Sequence, residues 1–338
     1  MYRVVYESLG RPSARLKLRP GLGLDNGVVS LGGGRVMIVT VDPVSAIPAF
    51  GMKVSAWLSV HLIASDYATS GADAEYATFS YNFPPEMPRD DREEYVRAVG
   101  EECDRLGITI AGGHTGSYPG AEYTVIGSGT MLGFAREGSY VVSSMARVGD
   151  SVIMTKHAGI EATISLAASF PKFVESKLGA TLARKAREGI GLCSTVADAR
   201  AARKVGLGEG GVSAMHDATE GGVLGALGEM AAAAKKQFLI YPGRIPVSEE
   251  SRAVCEAFGL DPLQTMGEGS LLLTCAPSAV SRLRRVMQRA GVGATEIGEV
   301  GRGRGLVDAG GDGLMRKAVS GYDRYWEVYA EAARRRLR

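Results

Sequence analysis

"MHDATEGGVLGAL" (215–227) sets His216, Asp217, Thr219 and Glu220 directly ahead of two glycines and an apolar run. The run predicts a helix over about 220–235, capped by Thr219 or Asp217, with Glu220 favourable in its first turn. A cap accounts for two of the four polar side chains. His216 and one of the pair Asp217 and Thr219 are left over. Gly221 and Gly222 each weaken a first turn by about 1 kcal/mol relative to Ala. Surplus polar residues beside glycines point to close approach of the backbone to a ligand.

Similar settings recur upstream. Asp25 lies in "GLGLDNGVV" (21–29), Asp42 ends the expected strand "VMIVTVD" (36–42), and Asp66 lies in "ASDYATSGA" (64–72). Any one of these aspartates reads first as a turn or cap residue. Four in like contexts support a second reading, carboxylates converging on a cleft. An unpaired carboxylate is costly in such a place, and Mg²⁺, which takes hard oxygen ligands and substrate phosphates, offers the compensation. Two further stretches carry ligand-type signals. In "AGGHTGSYPG" (111–120), Gly112 and Gly113 follow a strand and His114 and Thr115 add polar contacts; tight turns use the same residues. In "TKHAGIEAT" (155–163), a strand gives way to a helix whose N-terminus favours an anion, and Lys156 and His157 add positive charge. A solvent-facing Lys before a helix is the plainer alternative.

The rest of the chain alternates strands and helices and is rich in glycine, with 46 residues. "SAWLSVHLIASDYATSGA" (55–72) and "RDDREEYVRAVGEECDRLG" (89–107) read as helices, the second with Tyr95, Val99, Cys103 and Leu106 in one stripe. "EYATFSYNF" (75–83) and "YTVIGSGTMLGFA" (123–135) read as strands. A Gly-Asp turn near residue 147 looks like a fresh start, so two domains are expected, 1–147 and 148–338. The second half reads as a long helical segment at 181–205, a helix at 248–258, the strand "SLLLTCA", a helix from Pro277 to Ala290 and a closing amphipathic helix over 320–338.

Composition excludes more than it identifies. A net charge of +2 gives no argument for nucleic acid or a membrane surface. The "RRRLR" tail is short and reads as a solvated helix end. No run of about 18 apolar residues and no basic-then-apolar leader is present, so a cytoplasmic protein is expected. Cys103, Cys193, Cys255 and Cys275 are far apart, which argues against structural zinc and for buried thiols. Asn and Gln are scarce and Arg outnumbers Lys, as in thermophiles or GC-rich genomes.

Taken in order, these segments resemble the AIR synthase (PurM-like) superfamily of ATP-dependent enzymes over about residues 20–300. "GLGLDNGVV", "TVDPV", "SDYATSGA", "AGGHT", "GDSVIMTK" and "MHDATEGG" carry the resemblance. "MTKHAGIEAT", "MHDATEGGVLGAL" and "GLDPLQTMGEG" look most like the branch of the hydrogenase maturation factor HypE and its archaeal relatives. The resemblance implies an α+β, two-domain PurM-like fold, with an N-terminal domain that pairs with a second copy in an intersubunit barrel and a C-terminal α/β domain. It implies ATP and Mg²⁺, with Asp25, Asp66 and Asp217 as metal ligands. Asp42, Gly112, Gly113, His114, Thr115, Lys156 and Thr219 would lie by the nucleotide, and His114 and Asp66 are the catalytic candidates. A homodimer acting on a small molecule or a maturation partner protein is expected, without nucleic acid or membrane.

The chain also departs from its relatives. HypE ends in a cysteine that carries the carbamoyl group, whereas no cysteine follows Cys275 here. Selenophosphate synthetases use a Cys or selenocysteine near the N-terminus, and none precedes Cys103. "LDNG" stands where relatives pair two aspartates, and Glu220 stands where they have Arg. The expected activity is therefore phosphoryl transfer from ATP to a carbonyl, amide-type or phosphate oxygen of another substrate. Thiamine-monophosphate kinase and a maturation scaffold with little ATPase activity are the alternatives.

Overall fold

The computed structural model describes residues 2–311, 313–314, 323–335 and 337. The chain divides into two units, residues 1–20 with 25–140, and residues 21–24 with 141–338. The division falls between Tyr140 and Val141, against the boundary expected near 147, and it assigns the short segment Gly21–Leu24 to the second unit.

The first unit runs α1 (Tyr2–Glu7), β1 (Leu16–Leu18), β2 (Gly27–Gly32), β3 (Arg35–Ser45), α2 (Gly51–Ala68), β4 (Tyr76–Phe83), α3 (Arg89–Leu106), β5 (Thr109–Ser117) and β6 (Val125–Arg136). Its six strands lie in the order β1-β2-β3-β6-β4-β5, and only β4 and β5 are parallel. Period-two alternation buries Val36, Ile38, Thr40 and Val44 of β3 and Ala77, Phe79, Tyr81 and Phe83 of β4 on one face. Helix α2 lies across that face, and Gly129 of β6 admits it. A Cβ there would stand 2.5 Å from Ile63 of α2 and 2.7 Å from the Phe79 ring. Tyr95 of α3 meets Tyr81 and Phe83 edge-on at 6.0 and 6.3 Å. Acidic Asp90 and Asp91 favour the start of α3, and Gly107 ends it at φ 79°.

Two strands are longer than expected. β3 continues through Pro43 to Ser45 because it has already passed the end of β2, whose Gly27 pairs with Val39. With a neighbour on one side only, a residue without N–H does not interrupt a ladder there. β5 likewise continues through Gly112, Gly113 and His114 instead of ending in a loop.

The second unit runs β7 (Ser151–Thr155), α4 (Ile160–Ser169), α5 (Pro171–Leu178), α6 (Ala180–Glu188), α7 (Val196–Ala202), β8 (Val212–Asp217), α8 (Gly222–Ala234), β9 (Gln237–Ile240), α9 (Glu249–Phe258), β10 (Leu271–Cys275), α10 (Val280–Arg289), β11 (Ala294–Gly301), β12 (Gly305–Asp308), β13 (Gly313–Leu314) and α11 (Tyr325–Arg334). The sheet order is β13-β12-β9-β11-β7-β10-β8, with β12 and β9 parallel. β7, β8 and β10 are buried along their whole length, the polar ends of β8 included. Val152, Met154, Ala214 and Leu272 pack against Val223, Leu227 and Met230 of α8. A second cluster joins α4, α5, α6, α9 and α11 around Phe170, Val174, Val254 and Tyr325.

The single helix expected at 181–205 is two, α6 and α7, separated by a turn at Ile190–Cys193 that follows Gly189. The closing helix spans 325–334, while residues 320–322, 336 and 338 of that expectation lie outside the described residues. Among the described residues, no helix is long and apolar enough to cross a membrane. Gly129→Ala should destabilise the protein by about 1–3 kcal/mol, because Ile63 and Phe79 must move to admit the methyl. Urea unfolding of the two proteins side by side reads this directly.

Candidate functional site

In the first unit the carboxylates are held by the ends of α2 and β2. Asp66 sits in the last turn of α2, and Asp25 directly precedes β2. Thr40, buried on β3, joins them: its Oγ1 donates to the Asp25 carbonyl at 2.8 Å and lies 3.3 Å from Asp66 Oδ2. Asn26 adds a second clamp. Its Nδ2 donates to the Asp66 carbonyl at 2.8 Å and to Thr69 Oγ1 at 2.9 Å, so the C-terminal end of α2 is tied to the start of β2. Both carboxylates are half-buried. The Asn that replaces a second aspartate is thus a structural clamp.

Asp42 faces the same side of β3 as Thr40, two residues along. Gly113 lies in the same cross-strand row, through Gly129 and Phe79. Three strand spacings separate Asp42 from Gly113, roughly 14 Å across the sheet. His114 is in the next row, opposite Ser80, so its side chain leaves the other face. Within this unit, therefore, Gly112, Gly113, His114 and Thr115 do not join Asp42. Gly113 is glycine because the β4 backbone is close: a Cβ would stand 2.2 Å from the Phe79 carbonyl oxygen. His114 is exposed, and its Nε2 meets Tyr118 Oη at 2.6 Å. Thr115 and Gly116 line a groove of about 620 Å³ beside α3, with Phe83, Arg92 and Val96.

In the second unit "MHDATEGG" spans the end of β8 and the entry to α8. Asp217 is fully buried as the last residue of β8, opposite Leu271 of β10. His216 is buried too, and its Nε2 meets Glu229 Oε2 of α8 at 3.1 Å, tying strand to helix. The Thr219 carbonyl accepts from the N–H groups of Gly222 and Gly267, both at 3.1 Å, while Glu220 is exposed. Neither Thr219 nor Asp217 caps α8. The cap is Gly221, at φ 78°, without a side-chain bond of its own. A carboxylate 102 residues away does the work instead: Asp323 Oδ2 accepts from the Gly221 N–H at 3.1 Å. Asp323 Oδ1 accepts from Thr265 Oγ1 at 3.2 Å and from the Tyr325 N–H at 2.8 Å. Gly222 is required by close approach, but to protein. A Cβ there would meet the carbonyls of Leu263 and Thr265 at 2.8 and 2.7 Å.

Segment Gly21–Leu24, just ahead of Asp25, packs on the same helix. A Cβ on Gly23 would meet Glu229 backbone atoms at 2.8 Å, and Ser143 Oγ donates to the Gly23 carbonyl.

Lys156 does not present its charge to an anion. Its Nζ donates to the carbonyls of Ser194 (2.6 Å) and Gly269 (2.7 Å) and pairs with Asp198 Oδ2 at 3.0 Å, which engages all three donors. Burial lowers the His157 pKa, partly offset by its bond to the Ala158 carbonyl. Burial likewise pushes the Asp198 carboxyl up, against the pull of Lys156 and Thr155. Glu229, Asp323 and Asp198 carry no local sequence signal, since each acts on a residue far along the chain or across a turn.

Both halves match family models. Residues 23–135 match the N-terminal domain and residues 147–309 the C-terminal domain of AIR synthase related proteins, and the chain belongs to that family. Asp323 and α11 lie beyond both matched ranges. The chain is 28% identical to the carbamoyl dehydratase HypE of Rhizobium leguminosarum bv. viciae over 279 residues, 80% of this chain and 75% of that one. A chain in the crystal structure of a HypE–HypF complex superposes with a TM-score of 0.70 at 20% identity, covering 90% of this chain and 94% of that one. AaThiL, the thiamine-monophosphate kinase of Aquifex aeolicus complexed with AMPPCP and TMP, gives 0.69 at 18% identity, covering 92% of each. At these identities the two structural likenesses speak for the fold alone.

Asp323→Ala should cost about 1 kcal/mol, as loss of a helix cap does. Hydrogen exchange should accelerate at Gly221 and in the first turn of α8, and should stay unchanged at β7.

Proposed function

We propose that the chain is a HypE-related enzyme that uses ATP and Mg²⁺ to phosphorylate a carbonyl, amide-type or phosphate oxygen of a small molecule or of a partner protein. One observation carries the choice of chemistry: all four cysteines are buried. Burial pushes Cys103, Cys255 and Cys275 up to about 12 and Cys193 well above its ordinary value. A thiol so placed is neither a nucleophile nor an acyl carrier. The reading therefore rests on oxygen acceptors, not on a cysteine of the sequence given.

The donor set suits the metal. Asp25, Asp66 and Asp217 offer carboxylate oxygens only, and Mg²⁺ prefers a few carboxylates together with substrate phosphates over thiolate or imidazole. When bound, the ion neutralises charge on the phosphate oxygens, which is most of what phosphoryl transfer asks of a protein. Thr40 and Asn26 hold Asp66 and Asp25 in position for that task. Thr219 keeps a partly exposed hydroxyl on a loop whose backbone is tied down on both sides. Asp42 is the further polar residue assigned to the nucleotide. We assign His114, Gly112, Gly113 and Thr115 to it only as a strand on the far edge of the sheet. A homodimer fits that edge. β5 is exposed along nearly all its length, Ile110 included, and the same sheet exposes Tyr76 of β4, Val125 of β6 and Val41 of β3.

Thiamine-monophosphate kinase is the second reading, favoured by the same buried thiols, because it too needs only carboxylates, metal and ATP.

Calorimetric titration should show Mg²⁺-dependent ATP binding that Asp66→Asn and Asp217→Asn each weaken at least tenfold. Equal binding in all three proteins would return these aspartates to turn and cap roles. Thiamine diphosphate formed from the monophosphate would select the second reading. ATP binding without ADP formation, alone or with a hydrogenase-maturation partner, would leave a scaffold. Iodoacetamide at pH 8 should leave all four thiols of the native protein unmodified, as mass spectrometry of the intact chain would show.

A further inference from the structure

Lys156 stands at φ 53°, a left-handed conformation that a residue with a Cβ rarely adopts. Such strain persists only where the surroundings over-determine it. Here they do. The turn after β7 is stapled to the strand that follows residue 269: Thr155 Oγ1 accepts from the Leu271 N–H at 2.9 Å, and Ser270 Oγ donates to the His157 carbonyl at 2.6 Å. Thr155 Oγ1 also donates to Asp198 Oδ2 at 2.6 Å. On the far side, Gly269 presses on the turn before α7, where a Cβ would stand 2.0 Å from the Leu192 carbonyl oxygen. The Lys156 ammonium sits where these three pieces of backbone meet.

Its surroundings are all oxygen, most of it backbone carbonyl. Two backbone carbonyls and one carboxylate oxygen surround Nζ at 2.6, 2.7 and 3.0 Å. Carbonyls that replace a hydration shell are how proteins hold potassium. The distances are those of charge-assisted ammonium hydrogen bonds, roughly 2.7–2.9 Å, so the oxygens are spaced for an ammonium or a cation of like size and too far apart for the roughly 2.0–2.1 Å of Mg²⁺. Asp198, at 1% exposure, is the carboxylate that pairs with Lys156. The lysine side chain is 12% exposed, so its stem occupies a route from solvent to the cage.

We infer that this cage is a monovalent-cation site filled from within by the Lys156 ammonium, and that it takes potassium or ammonium when the side chain is removed. The tethered cation locks the 267–271 segment to the β7 turn and the α7 turn without dependence on salt. This holds for the second unit whatever the enzyme's substrate.

The test uses Lys156→Gly, since glycine adopts the positive φ without strain and opens the cage. The full-length protein is melted in potassium, ammonium, sodium and tetramethylammonium chloride at one ionic strength. Wild type should melt at the same temperature in potassium and tetramethylammonium. The variant should lose roughly 6 °C or more in tetramethylammonium, as expected for a buried charge left without its partner. Potassium or ammonium should restore at least half of that loss, and adding Asp198→Asn should abolish the restoration. If the variant does not fold in tetramethylammonium, its refolding yield in potassium against tetramethylammonium reads the same preference. A melting temperature, or a yield, that is equal across the four salts would overturn the inference.

Discussion

The segment 263–271 is the part on which the second unit's polar architecture depends. It lies against the entry to α8 on one side and the turn after β7 on the other, backbone to backbone. Gly222 can meet Leu263 and Thr265, and Gly269 can meet Leu192, only because neither has a Cβ. Close backbone approach puts many N–H and C=O groups in a dry place, where each needs a partner. Gly267 N–H, Ser270 C=O and Leu271 N–H find theirs in Thr219, Ala218 and Thr155. Gly269 C=O finds the Lys156 ammonium. The result is a frame around Asp217 and Thr219, with Asp323, just before α11, closing it.

The first unit solves a related problem with different means. The end of α2, which carries Asp66, has to be held against the start of β2, which Asp25 and Asn26 precede. A hydroxyl and an amide do this, Thr40 and Asn26, by bonding to backbone as well as to side chain. Gly129 contributes at a distance, since it lets α2 lie close enough to β6 for its last turn to reach β2 and β3.

Buried thiols and a buried lysine narrow the chemistry further. The lysine of "TKHAG" is held by two carbonyls and Asp198, and the four cysteines are core residues.

Much of this was legible in the residues. Period-two burial in β4, the acidic start and glycine stop of α3, and the order of the acidic motifs follow from local chemistry, and they pointed to the family and its two-domain fold; the apolar run of β3 hid its alternation, because Met37, Val39 and Val41 sit on its less buried side. The motif "MHDATEGG" showed that more polar residues were present than a helix cap needs. It could not show where they went, because the answers lie elsewhere in the chain: Glu229 for His216, Asp323 for Gly221, and Leu263 and Thr265 for Gly222. Glycines announced close approach, and only the folded chain decided that the approaching group is protein. Likewise Asp42 and His114 stand in neighbouring rows of one sheet, and only the strand order puts them three strands and two faces apart. Local sequence sets periodicity, turns and charge. Long-range pairing sets which of those groups meet, and that is a property of the sheet order and not of any segment within it.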